Sequence, residues 1–145
     1  MRAGQLEPPL PRGGLRAALC GVRAAIRPGG LFVFDVNTPY KHREVLADND
    51  FVFKQDGLLC LWRNRLNRRT CEVAMQLDFL AEQPDGRYER YSDEVRERAY
   101  SQRTWYTLLA ETGFELLAHY GDGTTEPPTD TCERWVFVAR AGQDR

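Results

Sequence analysis

The apolar positions along this chain change rhythm at Pro28. Before it, Leu15, Ala18, Leu19, Val22, Ala25 and Ile26 recur at helical spacing, with Arg16 and Arg23 on the opposite side, so a helix is predicted from Leu15. Pro28 disfavours helical backbone at Arg27, and Gly29 or Gly30 can take the left-handed cap. Leu31-Phe32-Val33-Phe34 then runs without alternation, the pattern of a strand covered on both faces, as in parallel sheets. Asn37-Thr38-Pro39 ends it, and Tyr40 to Leu46 suits one short helix.

In the middle of the chain the period drops to two. Phe51–Lys54, Leu58–Leu66, Thr70–Ala81 and Arg87–Ala99 read as strands. Cys71, Val73, Met75, Leu77 and Phe79 alternate with mostly polar residues, so one face of their strand packs and the other is wetter. The links Gln55-Asp56-Gly57, Asn67-Arg68-Arg69 and Gln83-Pro84-Asp85-Gly86 are turn-like, which makes this region an antiparallel meander. A second helix follows, with Ser101 as N-cap, Trp105, Leu108, Leu109 and Thr112 on one face, and Gly113 at its end. Phe114–Tyr120 and Arg134–Ala139 read as two last strands, antiparallel to each other, around a polar loop. Residues 1–14 hold three prolines and three glycines and are expected to be a loop or disordered tail.

Composition adds bounds. A chain of 145 residues suits one domain, and a net charge of -1 gives no global field towards nucleic acid or membrane. There is no apolar run of about 18 residues, and the first residues lack the apolar core of a signal peptide. Cys20, Cys60, Cys71 and Cys132 form no Cys-x-x-Cys pair, so four free, mostly buried thiols in a reducing cytoplasm are expected. Neither His42 nor His119 has a second ligand at metal spacing, and no serine sits in a nucleophile-elbow motif. Arg63, Arg65, Arg68 and Arg69 form a basic knob that reads as a solvated hairpin tip rather than a nucleic-acid face.

Taken in order, these segments resemble the C-terminal half of a class I S-adenosylmethionine (SAM) dependent methyltransferase. The residues that carry the likeness are Ile26-Arg27-Pro28-Gly29-Gly30-Leu31-Phe32-Val33-Phe34-Asp35-Val36-Asn37-Thr38-Pro39-Tyr40, then Arg98-Ala99-Tyr100-Ser101, Leu108-Leu109-Ala110-Glu111-Thr112-Gly113-Phe114 and Arg134-Trp135-Val136-Phe137-Val138-Ala139. They look most like small bacterial members with a stranded lid. The resemblance implies an α/β fold: a partial Rossmann-like sheet of family strands five, seven and six with two helices, plus an antiparallel β insert. Residues 15–145 would then be a single partial domain, with 50–100 as the lid insert. The family's SAM-binding glycine turn and second-strand acid have no counterpart. Gly29-Gly30 precedes a strand, whereas such a turn follows one and opens a helix. SAM is thus the family's cofactor, and this chain, as a truncated form, is expected to bind it weakly or not at all.

The resemblance places Asp35, Asn37, Thr38 and Tyr40 on the methyl-acceptor side, at the strand end where open α/β sheets bind ligands. Asp35 is the general-base candidate; the alternative is a strand end making a turn. Trp62, Asn64, Arg98 and Tyr100 would close a pocket over a small polar acceptor. The alternative has Trp62 in a core, Asn64 on a strand surface and Arg98 paired with Glu94 or Glu97. Two functions follow: an acceptor-side fragment of a methyltransferase, inactive alone, or a non-catalytic module for binding or assembly. Without a fourth strand beside it, Leu31–Phe34 is an exposed apolar edge and one sheet face is bare, so a homodimer or strand swap there is expected. Membrane and metal are not expected.

Overall fold

Helix α1 spans Arg12–Ala25, opening earlier than Leu15 because it takes in Gly13 and Gly14, where propensity argues against helix. The computed structural model describes residues 12–143, so the expected tail at 1–11 lies outside the described residues. Strand β1, Leu31–Asn37, follows the Pro-Gly-Gly turn. It leads into a π-helical turn, Lys41–Leu46, in which the Ala47 N–H donates to the His42 carbonyl at 2.8 Å. Then come β2 (Asp50–Gln55), β3 (Leu58–Asn67), β4 (Glu72–Glu82) and β5 (Tyr88–Arg98), α2 (Gln102–Glu111), β6 (Phe114–Gly121) and β7 (Arg134–Ala141). The described residues form two compact units, 42–98, and 12–41 with 99–143.

The second of these holds a three-stranded sheet in the order β1-β7-β6, antiparallel throughout. This is the expected order of family strands five, seven and six. Phe32, Phe34 and Val36 pack with Leu19 of α1 and Trp105 and Leu109 of α2 in one core. The Phe34 ring lies 5.3 Å from that of Trp105 and 5.2 Å from that of Phe137. The unalternating pattern of β1 reads as cover on both faces and that reading fails, whereas the bare face expected without neighbouring strands is present. Leu31 and Val33 are 58% and 59% exposed, because both helices lie on the other face and β7 is the only described neighbour of β1. The Ser101 side chain caps α2 by accepting from the Thr104 N–H at 3.1 Å. Gly113 stands just past the helix at φ 93°, where a Cβ would strain the backbone and press on the Arg23 side chain.

The insert is a four-stranded antiparallel sheet in the order β2-β3-β4-β5. Its register puts Phe51, Trp62 and Leu77 on one face, and Val52, Leu61 and Asp78 on the other. Leu46, Leu66, Val73 and Met75 form its small core, with Phe51 and Trp62 packed against it. The thiols are all free, as expected, but Cys20 is exposed and Cys60 half-buried, and only Cys71 and Cys132 are buried.

Candidate functional site

At the carboxyl end of β1 the register sets Asn37 opposite Arg134 of β7. The Arg134 Nε donates to Asp35 Oδ2 at 2.9 Å and its Nη1 to Asn37 Oδ1 at 3.0 Å. Asp35 and Asn37 are thereby joined in one exposed polar cluster. The Arg134 guanidinium holds the Asp35 carboxyl below its ordinary range. A carboxylate kept ionised in this way has little proton affinity, which argues against it as a general base.

Thr38 is 1% exposed. Its hydroxyl donates to the Cys132 carbonyl at 2.6 Å and accepts from the Lys41 N–H at 3.0 Å. It is the cap that starts the turn at Pro39, and its hydroxyl both donates and accepts there. Tyr40 is half-buried one residue before Lys41, whose Nζ lies 3.1 Å from Glu133 Oε1. Tyr100 is half-buried and meets Trp105 edge to face at 5.9 Å.

The remaining expected site residues belong to the insert. The Trp62 Nε1–H donates to Asn64 Oδ1 at 2.5 Å, so the two do act together. Asn64 is buried, which corrects the reading of it as a surface residue: its N–H donates to the Asn49 carbonyl at 3.1 Å, and its side chain ties to Leu46. Arg98 is half-buried at the end of β5, opposite Glu72. The basic knob is partly neutralised, with Arg63 bound to Asp78 at 2.7 Å and Arg68 at 3.7 Å from Asp48.

Two groups escaped the sequence reading. Asp78 is buried on β4 and accepts from Arg63, Arg90 and Ser92. His42 is fully buried, with Nδ1 2.8 Å from the Cys71 carbonyl oxygen and Nε2 3.3 Å from Glu97 Oε1. Burial alone would push the imidazole down, but the bonds to Cys71 and Glu97 outweigh it and raise its pKa to about 9. A signal did exist: Glu97 falls on the same face as Leu66 and Val73, and a carboxylate at an inward-facing strand position needs a partner.

Among the described residues no group of histidine, cysteine and carboxylate side chains could hold a metal ion. Nor does any described strand run through a glycine turn into a helix, the geometry that cradles a nucleoside cofactor. The glycine turn at 29–30 precedes β1, and the one at 121–123 leads towards β7. Among the described residues, no helix is long and apolar enough to cross a membrane.

No family model matches the chain. It is 29% identical over 126 residues to a protein named as a methyltransferase from Geobacillus sp. (strain WCH70), covering 87% of this chain and 51% of that protein. A SAM-dependent methyltransferase from Clostridium acetobutylicum superposes with a TM-score of 0.80 at 25% identity, over 91% of this chain and 52% of that one. CalS10, an amino pentose methyltransferase from Micromonospora echinaspora, superposes with a TM-score of 0.65 at 18% identity, over 91% and 52%; that likeness is of fold alone. The chain spans about half the length of the curated relatives it matches. In sequence and in fold, this chain is similar to methyltransferases over about half of their length.

Proposed function

We propose that the chain supplies the methyl-acceptor side and the stranded lid of a SAM-dependent methyltransferase and is inactive by itself. The observation that carries this is the passage from β1, through its polar end and a π-helical turn, straight into a four-stranded antiparallel insert, within a fold that matches such an enzyme at a TM-score of 0.80. Asn37, Tyr40, Trp62, Arg98 and Tyr100 are the acceptor-side groups in this reading, with Asp35 as a fixed negative charge. Thr38 holds the local backbone at the end of β1, and Asn64 that of β3. The acceptor is a small molecule, a reading supported by the sugar substrate named for the CalS10 fold neighbour. The Leu31–Phe34 edge and the bare face beside it are where a second polypeptide, or the rest of such a fold, would close the sheet.

One observation favours a second reading, a non-catalytic binding or assembly module: the described residues offer no cofactor cradle. Calorimetric titration of the chain with SAM tests both. The acceptor-side reading expects no binding at micromolar SAM. Micromolar affinity for this chain alone would overturn it and the module reading together.

A further inference from the structure

The outer edge of the insert is complementary to itself. Strand β2 reads Asp50-Phe51-Val52-Phe53-Lys54-Gln55 and pairs with β3; among the described residues no strand lies along its other side. The direction of its backbone groups follows from the turn that ends it. Asp56 and Gly57 have φ of 45° and 77°, the two-residue hairpin loop that closes on a bonded pair, here Gln55 and Leu58. Bonded and non-bonded pairs alternate along an antiparallel ladder, so Phe53 and Phe51 also turn their N–H and C=O towards β3. The same parity holds just before the strand, where the Asn49 carbonyl accepts from the Asn64 N–H at 3.1 Å. Asp50, Val52 and Lys54 therefore present theirs to the open side.

Two copies meeting antiparallel along this edge must set outward-facing residues opposite outward-facing residues, which leaves few registers. Centring on Asp50 or on Lys54 places a charge opposite its own copy, and centring on Phe51 or on Phe53 sets one of these charges opposite the partner's Val52 instead of opposite its counter-charge. Centring on Val52 places Asp50 opposite the partner's Lys54, Lys54 opposite the partner's Asp50, and Phe51 opposite the partner's Phe53. The ring pairs then occupy the non-bonded sites, where side chains come closest. Val52 and Phe53 are 64% and 55% exposed, and neither Asp50 nor Lys54 has an ion pair within the chain among the described residues. The other edge of this sheet is defended: seven of the 11 residues of β5 are charged. Strand β1 offers no such match, because its one charge, Asp35, has no cation in its own strand to meet.

We propose that the chain forms a two-fold homodimer joined edge to edge through β2 in the Val52-centred register, so that two four-stranded inserts become one continuous antiparallel sheet. Sedimentation at low micromolar concentration should show a dimer. Asp50→Lys or Lys54→Asp alone turns both cross-strand pairs repulsive and should weaken the dimer on the order of ten- to a hundredfold. Both positions are exposed, and circular dichroism checks that each variant is folded. The double variant Asp50→Lys/Lys54→Asp should regain the dimer. An equimolar mixture of the two single variants should form a heterodimer, because each supplies the charge that the other lacks. A monomeric wild type would overturn the proposal, and so would a dimer that ignores both single reversals but is dispersed by Leu31→Glu.

Discussion

At the scale of single residues, His42 has the most specific consequence. Both of its ring nitrogens face oxygen acceptors, at 2.8 Å and 3.3 Å, so both carry protons and the buried ring is a cation. Its folded pKa, about 9, lies above the unfolded value of 6.5. The stability it contributes is therefore complete below pH 6.5 and is lost as pH rises through about 9. That contribution is on the order of 3 kcal/mol. Chemical denaturation between pH 6 and 10 should show this decline, and His42→Gln should flatten it; a wild-type midpoint that does not move across that window would refute the assignment. An inward-facing Glu97 signals that it needs a partner, but nothing in the chain names His42 as that partner, because the ring's two partners lie 29 and 55 residues away. Spacing rules found no second metal ligand for His42, and they have no means of finding a carbonyl.

At the scale of elements, most of the architecture could be read locally. The four insert strands and α2 fall where the period-two and period-3.6 patterns put them, because each signal is complete within its own segment. Ser101 is an N-cap by sequence and by geometry, and Ser101→Ala should cost about 1 kcal/mol in thermal unfolding. Asp78 shows where locality ends. Its strand position marks it as polar, but only the register brings Arg63 and Ser92 beside it and buries it. Asp78→Ala removes the carboxylate that Arg63, Arg90 and Ser92 share, and because both arginines are more than half exposed and stay solvated it should cost only about 1 kcal/mol. Asp78→Asn, which keeps the shape, should cost less by the same measurement.

For the whole molecule, the consequential feature is apolar surface left open. Leu31 and Val33 lie on a sheet face that no described element covers, although their sequence reads as doubly buried. If that face stays open in solution, Val33→Glu should change unfolding stability by no more than about 0.5 kcal/mol while lowering binding of an apolar dye. A loss of about 2 kcal/mol or more would show instead that the strand is covered, as the closing of the sheet under the proposed function requires. Such a loss in a monomer would point to cover from within the chain. In a dimer that survives reversal of Asp50 and Lys54, it would point to the β1 edge.

The sequence by itself determined the elements, their order, and the resemblance to methyltransferases, because helix and strand periodicity, caps and turns are short-range properties of neighbouring residues. It also located the polar end of β1. Tertiary structure decided what those residues do there: it committed the Thr38 hydroxyl to a cap, held Asp35 ionised beside Arg134, and buried His42 as a cation against Glu97. It decided as well which face of Leu31–Phe34 stays wet, and which backbone groups of β2 look outward. Each of these depends on register and on residues far apart in the chain, and periodicity carries no information about either.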